Sequence, residues 1–307
     1  MTQIKVVGVG GSGGNAISRM AKCEIRNVEL VAINTDAQDL TKIKADVKLR
    51  IGRKTTQGLG AGMKPEIGRR SALESREDIS GILKGADMVF ITCGLGGGTG
   101  SGAAPVIAQI SKELGILTLA IVTTPFSFEG RARMKIAENA LRRLKENVDT
   151  SIAISNDRLL STLTPDTSVI NAFWVCDDIL RQAVQGISDL ILLPGIINVN
   201  FADIEAIMRN AGSALFGVGK ARGEGRAQIA ASLAISSPLL EVSIKGAKGV
   251  LFNVSGGKDI SLSEIDEVAR FITKEVNPEA KIIFGAVQRN DDLKEGEIKV
   301  TVIATGF

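Results

Sequence analysis

The stretch Gly94-Leu95-Gly96-Gly97-Gly98-Thr99-Gly100-Ser101-Gly102 constrains this chain more than any other, because it is almost without side chains. It follows the apolar run Met88-Val89-Phe90-Ile91-Thr92-Cys93 and precedes an alanine-rich amphipathic segment, so the pattern predicts strand, glycine loop, helix. Without Cβ atoms, backbone N–H groups can approach a ligand closely, and the N-terminus of the following helix adds partial positive charge. That combination is a polyphosphate cradle. It lacks the lysine of a G-x-x-x-x-G-K-[ST] loop and the spacing of a G-x-G-x-x-G fingerprint. A flexible Gly/Ser linker does not sit between a buried strand and a helix.

A second glycine run lies near the start. Ile4-Lys5-Val6-Val7-Gly8-Val9 reads as a strand that enters a loop, Gly10-Gly11-Ser12-Gly13-Gly14-Asn15, before a helix carrying Ala16, Ile17, Met20 and Ala21 on one side. Alone, this loop also opens dinucleotide-binding domains, and Asp36 could imitate their ribose-binding acid, which is the case for a nicotinamide-dependent dehydrogenase. Two such loops favour a different ligand. At the carboxyl ends of strands on either side of a topological switch they converge on one crevice, which suits a single nucleotide with several phosphates.

Further strands are expected over residues 28–33, 47–51, 116–123 and 151–155, with Asn34-Thr35-Asp36-Ala37 as a polar loop on the same strand edge. Residues 55–64 read either as plain loop or as a lid that Gly58, Gly60 and Gly62 allow to rearrange. Pro65 then opens a helix carrying Ile67, Leu73, Ile79 and Leu83. After Pro125, Glu129 and Arg133 stand four apart at a helix start. They form either an i,i+4 ion pair or, beside the crevice, a carboxylate for ribose hydroxyls and an arginine for phosphate or sugar. Asn156-Asp157-Arg158 is either turn chemistry or a purine-reading amide and carboxylate.

From residue 167 to 193, Ile170, Phe173, Cys176, Leu180, Ala183, Ile187, Leu190 and Ile191 recur at helical spacing, which predicts one long, mostly buried helix. Pro165-Asp166-Thr167 precede it and Pro194-Gly195 end it. Phe173 is either core or, with Trp174, a contact for a base, and Asp177 can accept from a guanine N1–H and N2–H₂ edge. Beyond lie Asn198-Val199-Asn200-Phe201-Ala202-Asp203, a short helix, and strands alternating with helices near 226–235 and 261–276, an α+β pattern without a glycine cradle of its own.

The expected fold class is therefore α/β: a Rossmann-like, doubly wound parallel-sheet domain over residues 1–166, a central connecting helix over 167–193, and a smaller α+β domain over 194–307. A length of 307 residues with 44% hydrophobic and 23% charged content is ordinary for a two-domain globular chain. A net charge of +3 with interleaved signs leaves no footprint for nucleic acid. Three cysteines without ligand spacing and no histidine argue against disulfide frameworks, zinc sites and histidine triads, so a reducing cytoplasm is expected. No apolar run is long enough for a membrane span, and direct membrane insertion is not expected.

Gly96-Gly97-Gly98-Thr99-Gly100-Ser101-Gly102 resembles the tubulin-superfamily signature G-G-G-T-G-[ST]-G. The chain resembles, along its whole length, the FtsZ family of bacterial division GTPases. Matching stretches include residues 8–15, 58–68 and 125–133, Asn156-Asp157-Arg158-Leu159, residues 183–189 and Val302-Ile303-Ala304-Thr305-Gly306-Phe307. The resemblance implies that the phosphates of GTP or GDP are held on Gly11, Ser12, Gly13, Gly14 and Asn15 and on Gly98, Thr99 and Gly100; Gly10, Gly96 and Gly97 of the same glycine runs are expected to bind nucleotide with them. It further implies Glu129 and Arg133 near the ribose and Asn156 and Asp177 at the guanine; Pro125 and Phe173 are expected beside them, and Mg²⁺ is expected to be held mainly through phosphates and water, since the loops carry no dedicated carboxylate cage. It implies a head-to-tail homopolymer acting at the division site, in which the loop reading N-x-D-F-A-D enters the next subunit's nucleotide site. Here Asn200 stands at the first acidic position and Asp203 keeps the second, so the catalytic pair is Asn200 and Asp203, and hydrolysis is expected to be slowed or, alternatively, absent. The family normally continues past the position of Phe307 to a peptide that binds division adaptors; these 307 residues do not include one.

Overall fold

Strands covered on both faces need continuous apolar runs, and the first half of the chain supplies them. In the computed structural model, which describes residues 2–23, 27–160, 163–164, 166–193, 195–237, 243–288 and 293–307, the parallel strands are β1 (Ile4–Val9), β2 (Val28–Asn34), β3 (Val47–Arg50), β4 (Met88–Gly94), β5 (Leu117–Thr124) and β6 (Thr150–Ser155); the edge strand β3 alternates and buries only Leu49. They pair in parallel in the order β3-β2-β1-β4-β5-β6, with Val6 opposite both Leu30 and Phe90. The chain order reverses between β1 and β4, so the switch point lies where the two glycine runs leave their strands.

Around these strands run α1 (Gly10–Lys22), α2 (Ala37–Lys42), α3 (Arg53–Thr56), α4 (Pro65–Glu74), α5 (Arg76–Leu83), α6 (Thr99–Glu113), α7 (Arg131–Lys145), α8 (Asn156–Leu160) and α9 (Val169–Leu192). One core joins Val7, Val31, Val89, Ile91 and Val122 of the strands to Ile79, Leu83, Ile107 and Leu144 of the helices, all buried. The chain divides into two compact units, Met1–Gln185 and Gly186–Phe307, and the division falls inside α9.

Several sequence expectations change in detail. The run from Gly10 to Asn15 is not a loop; α1 begins at Gly10 itself. The cause is close backbone approach: a Cβ on Gly13 would lie 2.5 Å from the Thr92 carbonyl oxygen, and one on Gly8 would lie 2.4 Å from that of Gly13. The expected helix after Pro65 is two helices, broken at Ser75, whose hydroxyl accepts the Gly52 N–H at 3.3 Å. Leu73, in α4, is exposed. In the long helix, Ile170 is 81% and Phe173 42% exposed, so the first two apolar positions expected on the buried stripe are not buried, and Cys176 is the first of them that is. Pro165 and Pro194, expected to bound that helix, lie outside the described residues.

The second unit contains α10 (Phe201–Met208), β7 (Gly212–Arg222), α11 (Arg226–Ile235), β8 (Gly249–Gly256), α12 (Leu262–Lys274), β9 (Lys281–Gln288) and β10 (Glu297–Thr305). Strand β10 is antiparallel to both β7 and β8, and β8 is parallel to β9. Ala230 and Ala234 of α11 pack with Val268 and Ile272 of α12 against Phe252 and Val300. Upstream of α10 the chain is pinned to β9: the Ile196 N–H donates to the Ala286 carbonyl at 2.7 Å, and the Ala286 N–H to that of Ile197 at 3.2 Å. No helix among the described residues is long and apolar enough to cross a membrane.

The glycines of α6 bring α4 against it almost backbone to backbone. A Cβ on Gly102 would lie 1.9 Å from the Pro65 carbonyl oxygen, whereas one on Gly81, in α5, meets nothing within 4 Å. Gly102→Ala is therefore expected to lower stability by about 1–3 kcal/mol through overpacking. Gly81→Ala is expected to raise it by roughly 0.5–1 kcal/mol through helix propensity. Urea unfolding of both variants checks this; equal effects would contradict the packing account.

Candidate functional site

A cavity of about 690 Å³ opens at the carboxyl ends of the parallel strands, within the size range of small-molecule sites. Val9, Asn34, Gly94 and Thr123 reach it from the ends of β1, β2, β4 and β5, and Asn156 from just beyond β6. Its floor is built from two helix starts. Neither α1 nor α6 has a side-chain cap or an acidic residue in its first turn, so their first N–H groups and their dipoles are left for a ligand. Gly10, at φ +73°, lets the two starts meet; even a Cβ there would lie 3.1 Å from the Gly100 nitrogen. At Gly97 a Cβ would meet nothing within 4 Å, so this backbone lies open beside the cavity. Two close-set, uncapped N-termini without Cβ atoms form an anion cradle.

The loop end of β2 ties the cradle to its neighbour. Thr35 Oγ1 and Thr99 Oγ1 are 2.7 Å apart, and Asn34 Nδ2 donates to Asp39 Oδ2 at 2.8 Å. Residues 59–63 form the adjoining wall, anchored where the Ala37 N–H donates to the Gly58 carbonyl at 3.0 Å. Leu59 at its tip is 85% exposed.

Opposite, Pro125, Glu129, Arg133, Asn156, Phe173, Cys176 and Asp177 line the cavity. Glu129 pairs with Arg133 and also accepts the Phe126 N–H at 2.9 Å, so the expected i,i+4 ion pair exists and lies on the cavity wall. Asn156 Oδ1 and Arg133 Nε are buried with no hydrogen-bond partner. Buried polar atoms left unpaired are costly, and two of them on one wall point to a ligand that pairs them. Phe173 meets the buried Phe126 edge-on, with centroids 5.2 Å apart, while its own exposure leaves a face free for a ring. Asp177 is buried, and burial pushes its carboxyl up to about 6 against the opposing pull of Arg19, whose Nε is 3.3 Å from Oδ2.

Of the residues expected to hold nucleotide, Gly13, Gly14 and Gly96 do not line the cavity. Gly13 abuts β4, Gly14 packs on Ile43, and Gly96 faces Pro125, so their missing side chains serve packing. Asn200 and Asp203 belong to the second unit and are not among the lining residues. Asn200 is the N-cap of α10, its Oδ1 accepting the Asp203 N–H at 2.8 Å, which places Asp203 in the first turn. Sequence reasoning missed Asn34, Asp39, Ala61 and Met63 as lining residues, although the polar turn after β2 and the glycines around residue 60 carried the signal.

Residues 3–164 match the Tubulin/FtsZ family, GTPase domain, and residues 212–307 match the FtsZ family, C-terminal domain. An empty FtsZ dimer from M. jannaschii is 47% identical over 100% of this chain and 88% of its own, with a TM-score of 0.96. A W319Y mutant of M. jannaschii FtsZ gives 0.95 at 47% identity, covering 99% of this chain and 91% of that one. The GDP-bound CetZ1 monomer from Haloferax volcanii shares the fold, with a TM-score of 0.86 at 20% identity over 100% of this chain and 94% of its own.

A carboxyl raised from 3.8 to about 6 binds its proton more tightly in the folded than in the unfolded chain, so its contribution to stability is lost as pH rises through that interval. The loss corresponds to about 3 kcal/mol with Asp177 ionised. Asp177→Asn, measured without ligand, is expected to raise the Tm at pH 7.5 and to leave it nearly unchanged at pH 4. A Tm gain of the same size at both pH values would contradict the ionisation account.

Proposed function

The chain belongs to the Tubulin/FtsZ family, and on that premise we propose that it binds GTP in the cavity of its first unit and hydrolyses it at contacts between head-to-tail copies of itself. The observation that carries the reading is the pair of uncapped helix starts facing the unpaired Asn156 Oδ1 and Arg133 Nε across one cavity, a phosphate end and a base-and-sugar end. In this reading the N–H groups of α1 and of residues 97–100 take the phosphates. Glu129 and Arg133 take the ribose region, Phe173 the ring face, and Asn156 and Asp177 the guanine edge.

Mg²⁺ neutralises charge on the phosphates when bound. Asp36 and Asp39 line the cavity, but each already has one oxygen engaged, by the α2 cap and by Asn34. This donor set fits a cation carried mainly by phosphate oxygens and water.

Hydrolysis needs a group that orients or deprotonates water, and Asp203 is our candidate, supplied by a neighbouring copy; a relative of this family at 47% identity is described as a dimer. A positioned base contributes about 10²–10⁴ in rate, whereas an amide only orients. Asn200 caps α10 and carries an amide where a second carboxylate would stand, and the missing acid favours slow turnover over the faster rate of a two-acid loop. The reading extends to a cytoskeletal role in cell division, with the protein acting in the cytoplasm at the division site.

Asn200→Asp is expected to raise phosphate release while preserving stability, because aspartate caps a helix as well as asparagine does. Asp203→Ala is expected to reduce release at least about 100-fold with GTP binding intact. Gly97→Glu places a like charge in the open cradle and is expected to abolish GTP binding without a steric clash. Mixing these last two inactive variants should restore activity, since one holds nucleotide and the other supplies Asp203. A mixture no more active than its parts contradicts a shared site.

A further inference from the structure

Three side chains from two helices form a stack behind the base end of the cavity. The Arg19 guanidinium carbon, on α1, lies 4.8 Å from the ring centroid of Trp174, on α9, within cation–π range. The same guanidinium reaches Asp177 one turn along α9, its Nε 3.3 Å from Oδ2. Asp177 lines the cavity; Arg19 does not, and it is three-quarters covered. Trp174 is half exposed, so its indole is retained at the surface as a plate over the arginine rather than as core.

Among the described residues, Arg19 is the charged group that acts on Asp177. Its sequence neighbour Asp178 is held by Arg181 and Gln182, Glu129 on the same side of the cavity is taken by Arg133 and the Phe126 N–H, and Cys176 beside it stays a neutral thiol because burial pushes it up to about 12. Only Oδ2 of Asp177 meets Arg19, and through a single long contact, which leaves the carboxylate acceptor capacity toward the cavity.

We propose that Arg19 is the positioning residue of the base subsite: fixed on the face of Trp174, it keeps the Asp177 carboxylate ionised and aimed, so that it can accept the ring N–H and amino group of a guanine. Arg19 acts through Asp177 and touches no ligand itself. Trp174 is part of the device, because a guanidinium stacked on a ring has fewer places to swing than a free one. The inference rests on the reading of this cavity as a guanine-nucleotide site, and it specifies how that site tells guanine from adenine, whose edge presents no N–H at N1.

The test compares wild type, Arg19→Met and Arg19→Lys for GDP binding by calorimetry from pH 5 to 8.5, together with NMR titration of the Asp177 carboxyl in the ligand-free proteins. Methionine keeps the apolar stem and drops the charge; lysine keeps the charge. Protonation of the terminal phosphate near pH 6 is common to all three proteins, so the difference between profiles carries the result. Arg19→Met is expected to move the Asp177 midpoint above 6 by roughly one pH unit, lowering GDP affinity about threefold near pH 6.5, approaching about tenfold near pH 5, and leaving it almost unchanged at pH 8.5. Arg19→Lys is expected to keep most of the wild-type profile. Trp174 is the sole tryptophan in a chain without tyrosine, so its emission reports directly whether the stack has been broken. A loss of affinity by one constant factor at every pH, or an Asp177 midpoint identical in wild type and Arg19→Met, overturns the proposal. If wild type binds no guanine nucleotide at all, the functional reading fails instead, and the ligand-free titration still decides the role of Arg19.

Discussion

The first unit depends on backbone meeting backbone where side chains would ordinarily intervene. Helix α1 can lie on β1 and β4 because Gly8 and Gly13 have no Cβ, and α6 can accept α4 because Gly102 and Gly68 have none; at Gly68 a Cβ would stand 2.4 Å from the Gly98 carbonyl oxygen. Each glycine inside a helix costs about 0.5–1 kcal/mol relative to alanine, so these helix starts are poor helices taken alone. They are held by the sheet and by one another. The same absence of side chains that permits the packing exposes two sets of N–H groups to one cavity, so the packing solution and the anion cradle are a single feature of the sequence.

The other end of the cavity works by a different economy. Asn156 Oδ1 and Arg133 Nε are buried without partners, and Asp177 is held as a carboxylate in surroundings that favour its neutral form. Each lowers the stability of the ligand-free chain, and each is relieved by a ligand that supplies donors and acceptors at the right places. A ligand that binds the folded state alone then stabilises it by mass action, so occupancy and fold stability are linked. The second unit is built differently, from an alanine face on α11 packed against β7 and from the Arg226 guanidinium clamped by Asp259 and Glu264.

Much of this was legible in the sequence, for reasons that differ by element. The central parallel strands were readable from their long apolar runs, and the cradle because Gly94 to Gly102 cannot pack as a core. The start of α1 was misread as a loop, since local propensity puts glycine outside helices and only the tertiary approach to Thr92 and Gly8 reveals why it is inside one. The break at Ser75 was hidden for a related reason: its hydroxyl serves Gly52, which is distant in sequence. Composition cannot tell a glycine that lines the cavity from one packed on a strand or side chain, and only the structure sets Gly13, Gly14 and Gly96 against β4, Ile43 and Pro125. Phe173 stood open between core and base contact, and its exposure beside the cavity favours the base. Arg19 and Trp174 carried no motif, so their pairing was invisible until both helices were in place. Asn200 was legible as a lost acid but not as the cap of α10.

The central claim is that one cavity, with phosphate donors at one end and Asp177 with Asn156 at the other, selects a guanine nucleotide. The most direct measurement is calorimetric titration of the ligand-free protein at pH 7.5 with GDP, IDP and ADP, which share their phosphates and ribose and differ only at the base edge. The account predicts one site per chain with GDP tightest. IDP, lacking the amino group, should be weaker by roughly one hydrogen bond to a charged acceptor, about 1.5–3 kcal/mol, and ADP weaker still. Equal affinity for all three would show that the cradle alone does the binding and would contradict the assignment of the base end.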